Sequence, residues 1–309
     1  MDFQKFIELF PKAKFVKIAP FDEREQTDEA IRKQNKAPID GRGIKNPLNI
    51  GEAQNWVADG GRLGWIVPKN FIVIDIDNKD HPKSASVLEK ILYIKGIKFW
   101  SNESKQGTHF IFKNTEEVMK DRGEFAGALT SLGIRADGRG DGKGYIILPP
   151  NDEVHRHWKD WSSTEIDELP FFLRPLRPAR PDDPVFIDMP EGGGSDALVK
   201  IRGIACATNM ITKEQSVEAL RIINDIIWTN PMPEKMFLAT VAREMTYENV
   251  ATADGTGPTK ENQWRILAQR LIKEYNLIAL GDIIHIYEHG QYRPFSPHEL
   301  QTFILEKVI

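Results

Sequence analysis

The stretch Phe71-Ile72-Val73-Ile74-Asp75-Ile76-Asp77 constrains the fold more than any other in the chain. Its apolar, β-branched start reads as a buried strand, yet it ends in two carboxylates. Residues two apart on a strand point the same way, so Asp75 and Asp77 share one face while Ile74 and Ile76 share the other. Two like charges placed that close disfavour one another's ionisation. A divalent cation between them removes the conflict, and hard cations such as Mg²⁺ take carboxylate oxygens. The plain alternative is a strand running into a polar turn, where Asp and Asn are ordinary residues.

The rest of the chain narrows the choice. Its 309 residues are enough for two or three domains and a substantial core. No apolar run approaches the roughly 20 residues that span a bilayer. The start, MDFQKFIELFPKAK, lacks a charged-then-apolar signal pattern with a small-residue cleavage site. The single cysteine, Cys206, excludes an internal disulfide and a cysteine-rich zinc module. A cytoplasmic protein with no membrane partner is the expectation. The formal net charge of −4 means that any contact with a polyanion has to come from local basic clusters.

Up to about residue 170, strand and helix signals alternate. LGWIVPKNFIVIDID (63–77) reads as a β-hairpin turning at Pro68-Lys69-Asn70, and SASVLEKILYIKG as a helix stopped by Gly96. IKFWSNES and GTHFIFKN read as strands, residues 116–133 as a helix with a glycine stop, and KGYIILPP as a strand closed by two prolines. That order predicts a compact α+β sheet with helices on one face. A proline-rich run followed by three consecutive glycines then reads as a linker over 171–196. Beyond it, helical spacing appears over 197–250, with Thr212 and Gln215 set for a capping box. ATADGTGPT reads as a second linker, and a helix is expected around Trp264 to Tyr275. The run IIHIYEHGQYRPF predicts a hairpin turning at His289-Gly290, and Ser296 is placed to cap a last helix. The chain stops inside that apolar run, as a fragment of a longer protein would.

Three segments carry candidate chemistry. Asp75 and Asp77 form the first; Ser104-Lys105-Gln106-Gly107-Thr108-His109, a small polar turn entering a strand, forms the second. The third runs from Ile134 to Pro150, with Asp137 ahead of the glycine-rich GRGDGKG and a strand ending in Pro-Pro. That loop matches neither a P-loop nor a dinucleotide fingerprint, because the spacing and the following strand are wrong. Taken singly, His109 reads as a structural strand-edge histidine and the glycines as a long hairpin turn. His155 and His157 make an H-x-H with no third ligand spaced nearby, and Cys206 reads as core packing.

Together, in order and spacing, the three segments resemble the motifs of the archaeo-eukaryotic primase superfamily, in its primase-polymerase branch found in plasmids, phages and mobile elements. The upstream Lys36-Ala37-Pro38 and EAQNWVADGGRLGWIVP fit as well, so the resemblance covers about residues 30 to 150. Lys105 and Gln106 stand where the family usually has a serine or second glycine, and the third motif carries an extra residue, making Asp137 a better match than Asp141. The resemblance implies an RRM-like antiparallel-sheet prim-pol catalytic domain over 1–170, and after the linker a small helical primase domain over 197–250. Residues 258–309 resemble the start of a region leading to a poxvirus-type superfamily 3 helicase, expected elsewhere in the full-length chain. No Walker A sequence occurs here.

What the resemblance implies for chemistry is a DNA primase and DNA-directed polymerase, a nucleotidyltransferase acting in DNA replication of a phage, plasmid or mobile element. Asp75, Asp77 and Asp137 would hold two Mg²⁺ or Mn²⁺ ions. Lys105, Thr108 and His109 would contact the triphosphate of a dNTP or NTP, and Arg42, Lys45, Arg135, Arg139 and Lys143 the backbone of a single-stranded DNA template. Two other classes stay open on the residues alone. A metal-dependent nuclease also needs clustered carboxylates, and a non-catalytic RRM-like sheet binds single strands through exposed aromatics.

Overall fold

The computed structural model of the chain describes residues 3–20, 22, 24, 28–39, 43–104, 106–114, 124–149, 156–160, 165–187, 194–208, 210–242, 272, 275, 277–280, 283–288 and 291–308. They form two compact units, residues 1–245 and 246–309.

In the first unit, β3 (Phe71–Asp77) sits at the centre of a seven-stranded sheet. Its partners are β4 (Trp100–Ser104), β5 (Gly107–Lys113), β6 (Phe125–Leu129), β7 (Arg135–Gly140), β9 (Arg156–Asp160) and β10 (Arg177–Pro178), in the order β10-β6-β7-β3-β5-β4-β9. Every neighbouring pair is antiparallel. A second, three-stranded sheet joins β1 (Phe15–Ile18), β2 (Arg62–Ile66) and β8 (Tyr145–Ile147), with β2 in the middle and α3 (Ile50–Ala58) packed on β1 and β2.

The faces of β3 explain its composition. Ile72, Ile74 and Ile76 are fully buried on one face, and α4 (Ser84–Ile94) packs against the strand with Leu88, Ile91 and Leu92 buried. On the other face Phe71 and Val73 join a core with Trp65 of the small sheet, Trp100, Ile111 and Phe6 of α1 (Phe3–Leu9). That cover stops short of the strand's end. Asp75 and Asp77, on the same face as Val73, are only half-buried. The small sheet and α1 therefore close the first half of a face and leave the carboxylate half open.

Three expectations need correction. The two apolar runs around Pro68-Lys69-Asn70 are strands but not a hairpin: β2 has β1 and β8 on its edges, and β3 has β5 and β7, so neither pairs with the other. The helix expected over 116–133 is not helix where it is described: Phe125–Leu129 is β6, paired with β7 and β10, and 130–133 turn back toward β7. Residues 115–123 lie outside the described residues. The glycine-rich run is not one long turn either, since Gly138–Gly140 complete β7 (Arg135–Gly140) and only 141–143 turn. Its glycines suit close packing. A Cβ on Gly138 would lie 2.3 Å from the Phe125 ring.

Residues 171–187 lie against this sheet. Phe172, Leu173, Leu176 and Phe186 are buried, and Leu176 N donates to Leu129 O at 2.8 Å. The helices α5 (Gly194–Thr208), α6 (Lys213–Ile222) and α7 (Glu234–Ala242) follow. Thr212 and Gln215 form the expected capping box at α6.

The second unit has an antiparallel sheet of β11 (Leu277–Leu280), β12 (Ile283–Glu288) and β13 (Gln291–Pro294), then α8 (Pro297–Val308). Glu288 faces Gln291, the register expected for a turn at His289-Gly290. Ser296 and Glu299 exchange capping hydrogen bonds at the start of α8. Of the helix expected around Trp264 to Tyr275, Ile272 and Tyr275 are described and helical; its other residues and the second linker lie outside the described residues. Among the described residues no helix is long and apolar enough to cross a membrane.

Candidate functional site

Strand register gathers the polar residues. Asp75 stands opposite Asp137 on β7 and opposite His109 on β5, and His109 stands opposite Asn102 on β4. One residue row thus crosses the sheet as Asp137, Asp75, His109, Asn102. Two residues along, Asp77 stands opposite Gly107, Gly107 opposite Ser104, and Ser104 opposite Arg156 on β9. A Cβ on Gly107 would lie 2.3 Å from the Ile76 carbonyl oxygen, so only glycine lets β5 approach β3 this closely beside Asp77.

These rows floor an open cavity of about 790 Å³. Asp75, Asp77 and Asp137 line it, and so do Lys33 and Lys36 of α2 (Glu29–Lys36), Lys79, Arg139, Lys143 and Arg156. Anionic and cationic groups are interleaved there. Lys79 is ion-paired with Asp77. Asp137 accepts from Gly127 N at 2.6 Å and from Arg139 Nη2 at 3.1 Å, and Arg139 also lies 3.7 Å from Glu124.

His109 is buried, with Nε2 3.5 Å from Asp75 Oδ1 and Nδ1 3.0 Å from Arg156 Nη1. A guanidinium only donates, so Nδ1 must be the acceptor, and the neutral ring then carries its proton on Nε2, facing Asp75. Arg156 Nη1 also donates to Asn102 Oδ1 at 2.7 Å. Burial pushes the imidazole below its usual pKa; Asp75 pulls it back and Arg156 pushes it further down. Burial opposes ionisation of Asp75 too, but the His109 ring, Arg156 and Arg139 outweigh it and hold the carboxyl at about 2. The site at neutral pH is a carboxylate facing an N–H of an imidazole whose tautomer is fixed from behind.

The sequence-derived residues divide clearly. Asp75, Asp77, Asp137, His109, Arg139 and Lys143 come together in the cavity. Thr108 does not, because alternation along β5 sets it opposite Ile76, on the other face of the sheet from His109, where it is buried. Arg135 shares the face of Asp137 but does not line the cavity, its guanidinium donating instead to the Arg180 carbonyl at 2.7 Å. Lys45 lines a different cavity. Lys105, Arg42 and His155 lie outside the described residues. Sequence reasoning missed Arg156, Lys33, Lys79 and Glu124. Lys33 and Lys36, three apart on α2, carried the only local signal, a basic stripe on one helix face.

Could the carboxylates hold a hard cation? Three carboxylates share one wall, two of them directly opposite across the sheet, and such an oxygen donor set suits Mg²⁺ or Mn²⁺. Among the described residues no three His, Cys, Asp or Glu side chains are already gathered as a metal cluster. Lys79 and Arg139 supply the counter-charge on Asp77 and Asp137 instead. The donor set fits, with those two cations able to swing aside on flexible stems.

Residues 16–172, just over half of the chain, match the family model for the bifunctional DNA primase/polymerase N-terminal domain, Prim-Pol. The chain belongs to the Prim-Pol family. The matched span takes in every strand of the small sheet except the start of β1, and the whole β3–β9 core that carries the cavity. It ties this domain to DNA primase and polymerase chemistry, with DNA as template and nucleotides as substrates. No curated protein matches the chain.

Proposed function

We propose that the Prim-Pol domain joins nucleotides on a single-stranded DNA template in the replication of a phage, plasmid or other mobile element, using the Asp75, Asp77 and Asp137 cavity as its active site. The observation that carries this is the row Asp137, Asp75, His109 in a cavity ringed by Lys33, Lys36, Lys79, Arg139, Lys143 and Arg156. Carboxylates alone would suit many hydrolases. Carboxylates ringed by six cations suit a substrate that brings both metal and polyphosphate.

Asp75, Asp77 and Asp137 would hold two divalent ions, which when bound acidify the attacking 3′-hydroxyl and neutralise charge on the departing pyrophosphate. His109 presents Nε2–H to a phosphate oxygen, and Arg156 keeps that proton in place by donating to Nδ1. Lys33 and Lys36 come from α2, Lys79 from the turn after β3 and Lys143 from the turn after β7, so the triphosphate is gripped as a polyanion by point charges from separate elements. Arg139, now paired with Asp137, would be available to donate to a phosphate oxygen when that carboxylate serves as a metal ligand. The α5–α7 region would supply template or initiating-nucleotide contacts, and residues 258–309 would lead toward a helicase.

The test is incorporation of labelled dNTPs or NTPs on single-stranded DNA by the full chain, with and without primer. Extended products that appear with Mg²⁺ or Mn²⁺ and vanish with chelator are expected, and products without a primer identify priming. Metal-dependent loss of template without synthesis would overturn the reading in favour of a nuclease.

A further inference from the structure

A second cavity, also about 790 Å³, opens at the other end of β3, beside Phe71. Four lysines line it, Lys12, Lys14, Lys45 and Lys69, all exposed, and among the described residues no acidic one does. Lys69 has only a distant carboxylate, Asp141 at 3.9 Å. The walls between the lysines are aromatic. Phe71 stacks on Trp100 with ring centres 6.2 Å apart and planes at 19°, and Phe10 meets Phe71 edge-on at 5.3 Å. Phe10 and Phe71 are half-buried, so each keeps ring surface open. Trp65 is buried behind them, and its indole N–H has no hydrogen-bond partner among the described residues.

Lysines without carboxylates call for an anionic ligand, and open aromatic rings between them call for a flat one. A free nucleoside triphosphate fits poorly, since nothing here holds the metal it carries. A peptide would have to be strongly acidic to match four lysines and also bring its own flat rings to the open aromatics. Single-stranded DNA meets both demands, because bases stack on aromatics while lysines follow the backbone. The position agrees. Ile44 lines both cavities, and the 141–143 turn borders both, through Gly142 on one side and Lys143 on the other. From Phe71 to Asp77 a strand covers about 20 Å at ~3.3 Å per residue, the reach of a few nucleotides.

We infer that this cavity holds an unpaired nucleotide of the DNA strand that passes the Asp75–Asp77 site, with its base against Phe10 and Phe71 and its neighbouring phosphates on the lysines. Calling that strand the template rests on the polymerase reading above; the binding does not.

Fluorescence anisotropy of a labelled oligothymidylate with the full chain tests it without catalysis. The double variant Lys12→Ala/Lys14→Ala, at two exposed positions, is expected to bind about tenfold more weakly at low salt, with the slope of log affinity against log salt reduced by about two. Affinity and slope equal to wild type would overturn the inference. In parallel, photocrosslinking of a single-stranded DNA oligonucleotide carrying 5-iodo-2′-deoxyuridine is expected to mark the peptides carrying Phe10 or Phe71, and crosslinks confined to other peptides would also overturn it. If the crosslink forms while no nucleotide is ever incorporated, the cavity stands and the polymerase reading falls. If incorporation is normal while the lysine variant binds DNA as wild type does, the reverse holds.

Discussion

Asp75→Ala and Asp77→Ala are each expected to lower nucleotide incorporation by about a thousandfold or more while leaving the fold intact. A bound metal is worth several kcal/mol of transition-state stabilisation, and every ~1.4 kcal/mol is a factor of ten in rate. Neither carboxylate belongs to the core: the buried residues of β3 are Ile72, Val73, Ile74 and Ile76, and Asp75 and Asp77 stand on the uncovered half of the face that Val73 shares. Thermal unfolding of Asp77→Ala should therefore stay within a few degrees of wild type, while Asp75→Ala, which takes the carboxylate from the buried His109 ring and from Arg156, should melt lower but still cooperatively. The two measurements together separate a lost site from a lost fold. Incorporation at wild-type level in either variant would remove that residue from the site.

The second large effect is on stability. Asp183→Ala is expected to cost about 3–5 kcal/mol, because it strips the partner from a buried guanidinium. Arg177 of β10 is 9% exposed at its side chain and Asp183 2%, with Arg177 Nη1 donating to Asp183 Oδ2 at 2.9 Å. The same carboxylate accepts from Arg180 N at 2.7 Å, which closes the turn after β10. Losing it frees the strand that caps the β6 edge and exposes Leu176 and Phe186 to water. The double variant Arg177→Met/Asp183→Leu should recover most of the loss, since it leaves no charge uncompensated. Urea unfolding midpoints measure both. A cost below about 1 kcal/mol for Asp183→Ala would mean that the pair is solvated and the edge is held by apolar contacts alone.

How much of this was legible in the sequence follows from what each residue's neighbours had to be. The site's centre was legible because it is carried by alternation: FIVIDID states its own two faces, and β3 obeys them. The same rule, applied to β5, would have separated Thr108 from His109, since adjacent strand residues cannot share a face. Arg156 was not legible. It reaches His109 from β9, 47 residues away in sequence, and nothing local marks a strand-edge arginine as an imidazole's partner. The β6 strand was missed because Phe125-Ala126-Gly127-Ala128-Leu129 has weak β propensity. Pairing on both edges, not propensity, makes it a strand. The false hairpin at Pro68 has a related cause: strand pattern reports burial and alternation, but which of two sheets a strand joins is decided by partners far along the chain. The proline-rich composition of 171–187 likewise says nothing of Phe172, Leu173 and Phe186, which are buried.

The most direct test of the central claim is a crystal of the full chain grown with Mn²⁺ and a non-hydrolysable nucleoside triphosphate, with data collected at the manganese absorption edge. Anomalous density bounded by the carboxylates of Asp75, Asp77 and Asp137, with the triphosphate against His109 and the Lys79 and Arg139 side chains moved off their carboxylates, is the predicted result. Manganese bound elsewhere, with the Lys79–Asp77 and Arg139–Asp137 pairs intact, would contradict it.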